Sequence, residues 1–313
     1  MKNTTAKIAL GTWAWGDTSD GQVFGDHLTA EDLQPVVADA MAAGLNVWDT
    51  AYAYGSGESE KMLGTLLQKY PRDSYQLSTK FTPQMAGTGD NEVADMLAGS
   101  LQRLHTDFID IYWIHNPADV EKWTPALIPL LQSGKVKRVG VSNHNLAQIK
   151  RADEILATAG FHVSAVQNHF SLLYRSSEEA GILDYCRDHD IDFFAYMVLE
   201  QGVLSGRYDV QHPLPAGSMR AQVYNQVLPQ VEDLTAGLTK IGAKYDASAA
   251  EVATAYALAK GTTPIIGVTK PKYIASEMKA ASLDLTPVDI IELETLAAAT
   301  HVDTKGSWEA PMA

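Results

Sequence analysis

Short apolar runs alternate with amphipathic segments along the whole chain. The runs are KIAL (7–10), NVWD (46–49), YQLST (75–79), FIDIYWI (108–114), VKRVGV (136–141), VSAVQ (163–167), IDFFAY (191–196) and TPIIG (263–267). Their lengths and their β-branched and aromatic content predict eight strands. Helical periodicity fills the gaps. Leu33, Val36, Val37, Ala40 and Met41 share one face, as do Val93, Met96, Leu97, Ser100, Leu101 and Leu104, and Leu146, Ile149, Ala152, Leu156 and Ala159. Thr29-x-x-Asp32 and Ser248-x-x-Glu251 resemble capping boxes, Pro271 and Pro287 suit first helical positions, and Gly44 suits a helix end. Parallel strands need crossovers, and here each crossover is helical. The pattern therefore predicts an α/β fold: a single (β/α)8 TIM-type barrel over residues 1–313.

Two segments break the alternation. Residues 200–225 are rich in Gly and Pro and too long for an ordinary strand-to-helix loop, which predicts a lid. A tail, HVDTKGSWEAPMA (301–313), follows the last helical pattern. It is expected over the active-site face, and its Trp308 needs something to pack on.

Composition sharpens this only in places. The 313 residues, 46% hydrophobic and 20% charged, supply a large core. A net charge of -14 argues against nucleic acid or an anionic membrane as the main partner, but not against a small anionic ligand. The single cysteine, Cys186, cannot form an internal disulfide and reads as a buried, inert thiol. The N-terminus has no signal-like apolar region and no apolar run reaches membrane-spanning length, so a cytoplasmic protein is expected.

A barrel of this kind carries its site at the C-terminal strand ends. Those ends read Gly11-Thr12-Trp13, Asp49, Lys80, His115, Ser142-Asn143, Gln167-Asn168, Tyr196 and Thr269-Lys270. The strand bodies are apolar and the exits polar or ionisable. Asp49, Lys80 and His115 leave consecutive strands, and Tyr54 follows Asp49 by five residues. Tyrosine is a weak acid at neutral pH. An ammonium beside it stabilises the phenolate, a carboxylate holds that ammonium charged and aimed, and a histidine can fix a carbonyl oxygen. Together they form a proton donor for an oxygen gaining negative charge.

These residues resemble a known family. DTAYAYG at the second strand, STK at the third, IHNP at the fourth, GVSNH at the fifth and VQNHFSLL at the sixth look like the aldo-keto reductases, from about Leu10 to about Leu296. The resemblance implies NADP(H)-dependent reduction of aldehydes or ketones, without metal, by a tetrad of Asp49, Tyr54, Lys80 and His115. Tyr54, the tyrosine followed by Gly55, is the implied general acid. Tyr52 is packing or a pocket wall, and Glu58 and Glu60 open a helix whose dipole they complement. No strand leads into a G-x-G-x-x-G, so the cofactor must be held otherwise. By resemblance, Ser142, Asn143 and Gln167 bind the carboxamide and Tyr196 stacks on the ring. Gly11, Thr12, Trp13 and Asp49 line the cofactor, with Met197, Leu199, Gln201 and Arg207 near the pyrophosphate and Arg220 a further phosphate candidate. Gly267, Thr269, Lys270, Lys272 and Glu277 serve the adenosine end. There GVTKPK places lysines at a helix N-terminus, which favours NADP(H) over NAD(H). Trp13, Tyr52, Phe81 and Trp308 are expected to wall the substrate space, while Trp113, inside a strand, belongs to the core.

The chain departs from the family pattern in several places. Tyr273 stands for a common arginine, Glu277 for an asparagine, and Met197-Val198 for serine–proline. Only about ten residues precede Gly11, so a barrel-plugging hairpin is expected to be short or missing. A monomer or small homo-oligomer is expected. Two other readings compete. A metal-dependent barrel hydrolase would use Asp49, His115, His144 and His169, but lacks the usual His-x-His pair and has Lys80 in the centre. A cofactor-binding redox sensor or regulatory subunit would share the fold, but has no need of an intact tetrad.

Overall fold

The computed structural model describes residues 7–16 and 27–312. Eight strands pair in parallel and in chain order: β1 (Ala9–Gly11), β2 (Val47–Asp49), β3 (Gln76–Phe81), β4 (Ile109–Ile114), β5 (Val136–Ser142), β6 (Ala165–His169), β7 (Asp192–Tyr196) and β8 (Thr263–Gly267). Pairing of Ala9 with Ile265 through Gly11 with Gly267 closes the barrel. Each strand falls on a predicted apolar run, within about two residues at either end.

The helices begin where the side chains said they would. Thr29 and Asp32 form a reciprocal capping box on the helix Ala30–Ala43, and Gly44 ends it in the left-handed conformation at φ 78°. Ser248 and Glu251 do the same for Ala249–Ala259. Pro271 and Pro287 open the helices Pro271–Ala280 and Pro287–Ala299. Two boxes escaped the sequence reading, Asn145 with Gln148 and Thr286 with Asp289. Each such cap stabilises its helix by about 1 kcal/mol.

Alternation along the strands sorts side chains between two cores. Ala9, Val47, Ile111, Trp113, Ala165 and Phe194 pack together as one inner cluster, with Ile265 against it. Trp113 is fully buried there, its ring edge-on to Phe194 at 5.3 Å. Gly140 makes this possible, because a Cβ at that position would stand 2.3 Å from the indole. The larger cluster packs strands against helices, and Phe81 belongs to it, 4.8 Å from Trp123. Lys80 reaches Asp49 on the barrel side, so its neighbour Phe81 faces the helices. Phe81 is therefore core, not substrate wall.

The segment expected as a lid starts as a 3-10 turn, Glu200–Ser205, and ends in the short helix Met219–Tyr224. Leu214, Ala221 and Tyr224 are buried, so it is anchored to the body at several points. Most of the N-terminal segment in which the plugging hairpin would fall lies outside the described residues.

Candidate active site

Asp49 ends β2, and a tight turn brings Tyr54 beside it. That turn takes left-handed backbone at Gly55 (φ 59°) and Ser56 (φ 53°), then at Gly57 (φ 95°). Lys80, fully buried near the end of β3, sits at the centre. Its Nζ lies 2.6 Å from Asp49 Oδ2, 2.9 Å from the Thr50 carbonyl and 3.1 Å from Tyr54 Oη. An ammonium has three protons, and each is committed. Because Tyr54 accepts from Lys80, its own hydroxyl proton is left for another acceptor. Asp49 Oδ1 accepts from Ser78 Oγ and, at 3.1 Å, from Gln167 Nε2. His115 stands edge-on to the Tyr54 ring, centroids 6.0 Å apart, and its Nδ1 is 2.9 Å from Thr82 Oγ1. The structure thus brings all four expected tetrad residues together.

Electrostatics refine the expected chemistry. Burial pushes the Tyr54 hydroxyl above its ordinary value, against the pull of Lys80. Lys80 was expected to lower that value outright, but desolvation wins in the resting site. Burial works against the Lys80 charge, yet Asp49 and Tyr54 outweigh it and hold the ammonium above its usual range. Burial, then Lys80, keeps His115 well below the usual imidazole value, hence neutral at pH 7. A neutral ring has one N–H. Where Thr82 donates to Nδ1, that hydrogen sits on Nε2; where Nδ1 donates to Thr82, Nε2 is bare. Thr50, Ser78 and Thr82 were missed from sequence, where small polar residues at strand ends carry no distinguishing signal.

At the exits of β5 to β7 a polar group converges. Ser142 pairs in register with Gln167, Asn143 Nδ2 is 3.3 Å from Ser142 Oγ, and Tyr196 Oη is 2.5 Å from Asn143 Oδ1. Asn143 takes the left-handed conformation, φ 63°, which asparagine tolerates. A hydroxyl and two amides beside an aromatic face form a donor–acceptor set that fits a flat ring bearing a carboxamide. Among the other expected cofactor neighbours, Met197 (φ 60°) and Gln201 (φ 52°) take left-handed backbone after β7, as does Glu200 (φ 46°) between them. Such strain concentrates where function requires it. Leu199 is partly buried on the core, Arg207 is exposed, and Arg220 donates to the Gln201 carbonyl at 3.2 Å. Gly267, Lys270 and Lys272 are exposed and Thr269 is half-buried, around a helix start that has no side-chain cap. Uncapped N–H groups beside two lysines suit an anion.

Four of the expected residues have close partners within the protein. Thr12 is fully buried and spent on the frame: it bonds the Asp49 carbonyl and receives Ser59 Oγ at 2.7 Å. Gly11 is buried against β8, with room for a Cβ only 3.1 Å from Ile265. Glu277 is 3% exposed, and burial pushes its carboxyl up to about 8, so it faces protein and not an open groove. Tyr52 lies under the Arg103 guanidinium at 4.7 Å, and Arg103 in turn pairs at 2.7 Å with Glu60, which is fully buried. Tyr52 and Glu60 therefore brace the helix layer. Trp13 and Trp308 do stand together, T-shaped at 6.3 Å, with Trp13 6.1 Å from Tyr54.

The histidines considered as metal ligands each have another task. His144 is buried beside the Ser142 carbonyl and pushed down to about 4 by burial. His169 lies between Glu200 and Glu309, at 2.9 and 3.0 Å. No His, Cys, Asp and Glu cluster placed to hold a metal occurs among the described residues. Cys186 is buried, its thiol pushed up to about 12. The Glu309 contact was not foreseen. Nothing in the sequence ties a tail glutamate to a histidine 140 residues away.

Comparison with known proteins follows the same outline. A model of the Aldo/keto reductase family matches residues 7–298. The chain is 29% identical to a chloroplastic pyridoxal reductase of Arabidopsis thaliana, over 94% of this chain and 84% of that one. It is 30% identical to an aldo-keto reductase of Strobilurus tenacellus, over 96% and 91%. Among solved structures, a glycerol dehydrogenase from Gluconobacter oxydans superposes with a TM-score of 0.80 at 23% identity, covering 96% and 94%. An aldo/keto reductase from Klebsiella pneumoniae, solved with NADP and acetate, gives 0.72 at 21%, covering 97% and 94%.

Proposed function

Since the chain belongs to the aldo/keto reductase family, we propose that it reduces a small aldehyde or ketone to an alcohol with NADPH, and that Tyr54 is the proton donor. The observation that carries this is the Lys80 ammonium with its three protons directed at Asp49, Thr50 and Tyr54. Ser142, Asn143, Gln167 and Tyr196 would hold the nicotinamide, and Lys270 and Lys272 would favour the phosphorylated dinucleotide. When bound, the cofactor supplies the hydride that the carbonyl carbon receives.

The chain's own residues handle the oxygen. His115, neutral and in the tautomer with its hydrogen on Nε2 that a Thr82 donor to Nδ1 would select, orients the carbonyl oxygen by donating to it. As negative charge develops there, Tyr54 transfers its proton. The resulting phenolate is left 3.1 Å from an ammonium that already donates to it, so no other Lys80 partner has to be given up. Burial raises the cost of ionising Tyr54 in the resting site. That cost is offset only when a basic oxygen stands opposite, so the proton leaves on demand. Trp13 and Trp308 favour a substrate with a flat or apolar part.

The test follows NADPH absorbance across a panel of aldehydes and ketones, repeated with NADH. Tyr54→Phe should abolish turnover and leave NADPH binding within about twofold. Activity of that variant within tenfold of wild type would refute the role.

A further inference from the structure

A second buried ionic group lies behind Tyr196, and the reaction above does not use it. His169 is fully buried at the end of β6, with Nε2 2.9 Å from Glu200 Oε1 and Nδ1 3.0 Å from Glu309 Oε1. Glu200 also accepts from Ser171 Oγ, from Thr304 Oγ1 at 3.0 Å and, through Oε2, from Tyr224 at 2.8 Å. A carboxyl receiving that many donors is ionised. Glu309 accepts through Oε1 only, its Oε2 being buried without a hydrogen-bond partner; taking Glu309 as ionised too, His169 donates at both ring nitrogens and is an imidazolium. The count is then two negative charges against one positive, a net -1. Moving a proton from His169 to Glu309 leaves the sum unchanged. Among the described residues, no Lys or Arg pairs with any of the three.

This surplus charge sits against the expected ring platform. The Tyr196 ring stacks on His169 at 5.4 Å, and Tyr174 stacks on His169 at 4.2 Å. Tyr196 Oη is 2.9 Å from Glu309 Oε1. Anchoring the tail needs no charge, because burying carboxylates is costly and apolar packing would serve as well. What a net negative charge does here is distinguish the two states of a nicotinamide. The reduced ring is neutral and the oxidised ring is a cation.

We propose that the Glu200–His169–Glu309 cluster biases the cofactor site toward the oxidised, cationic ring, and that Glu309, supplied by the C-terminal tail, sets this bias. The inference rests on the reading that Tyr196 stacks on the nicotinamide. Its consequence is that hydride loss is favoured once the reduced cofactor is bound. The effect would act through differential binding of the two cofactor forms, not through overall affinity.

The experiment measures dissociation constants for NADP+ and for NADPH by tryptophan quenching, at pH 6. There His169, pushed up to about 9 by the two carboxylates against its burial, keeps its proton. Glu309→Gln then changes the count from -1 to 0. The ratio of the NADP+ constant to the NADPH constant should rise roughly four- to thirty-fold, as expected for one poorly screened unit charge across a single aromatic ring. Glu200→Gln should shift the ratio the same way and serves if Glu309→Gln does not fold. A folded variant in which the two constants stay put, or move by the same factor, overturns the proposal. So does unfolding of both variants, which would assign the charges to stability. Tyr196→Ala tests the premise separately. If wild type binds neither form, or if Tyr196→Ala leaves both constants unchanged, the cofactor placement falls. If those controls behave and the glutamine variants leave the ratio alone, only the charge proposal falls.

Discussion

The barrel mouth carries two buried ionic groups with different charge balance. In one, a lysine stands between a carboxylate and a phenol: Asp49, Lys80 and Tyr54 sum to zero at rest. In the other, a histidine stands between two glutamates, and on the assignment proposed above Glu200, His169 and Glu309 sum to -1. The balanced group can release a proton and remain paired, because the ammonium already faces the oxygen that will become negative. The unbalanced group has nothing to release at neutral pH, and it acts on its surroundings only through its surplus charge. Burial alone therefore does not mark a reacting group. The sign and balance of the buried charges say what each can do.

The comparison is broken most severely at its first member. Tyr54→Phe removes the proton but neither charge, and the turnover number should fall by about 10²–10⁴ with little loss of stability. Lys80→Met removes the positive charge and leaves Asp49 buried without it. Turnover should be equally crippled, and stability should also fall, by roughly 3–5 kcal/mol as for a buried pair losing one partner. Chemical denaturation of both variants separates the two effects. Equal stability of Tyr54→Phe and Lys80→Met would mean that Asp49 is not held by charge.

The two groups were also unequally legible in the sequence. Asp49, Tyr54, Lys80 and His115 each sit at the exit of one of three consecutive strands or in the turn after it, so strand order alone put them on one rim. Glu309 reaches His169 from a tail with no periodicity, and Glu200 opens a strained turn whose left-handed backbone leaves no sequence signature. The two expected pocket walls that pack elsewhere do so for separate reasons. Phe81 follows Lys80 directly, and a strand sends neighbours to opposite faces. Tyr52 lies on the turn between Asp49 and Tyr54 but spends its ring on Arg103. Proximity in sequence to a reacting residue says little about the side of the sheet on which a side chain falls.

A smaller effect sharpens the second member. The rings of Tyr174 and Tyr196 stack on His169; burial works against its charge, but Glu200 and Glu309 outweigh it and hold His169 near 9 against an ordinary 6.5. A base whose value is raised by folding contributes stability that is complete below about 6.5 and is lost as pH rises through about 9. The melting temperature should therefore fall by several degrees, roughly 3–6 °C, between pH 7 and pH 10. His169→Gln should flatten that slope. An identical slope in both proteins would show that His169 does not carry its charge in the folded state.

The mildest change lies at the far end of the expected cofactor groove. Lys272 is exposed at the start of the helix Pro271–Ala280, one residue past Pro271, and no side chain caps that helix. A solvent-exposed lysine adds only a modest, salt-screened attraction for a phosphate. Lys272→Ala should raise KM for NADPH about threefold, leave KM for NADH unchanged and leave kcat unchanged with both. The difference should shrink as salt is raised toward 1 M, where the Debye length is about 3 Å. Equal rises for NADPH and NADH would place Lys272 on the shared part of the dinucleotide. In that case the dinucleotide preference must come from Lys270 and the open helix N-terminus.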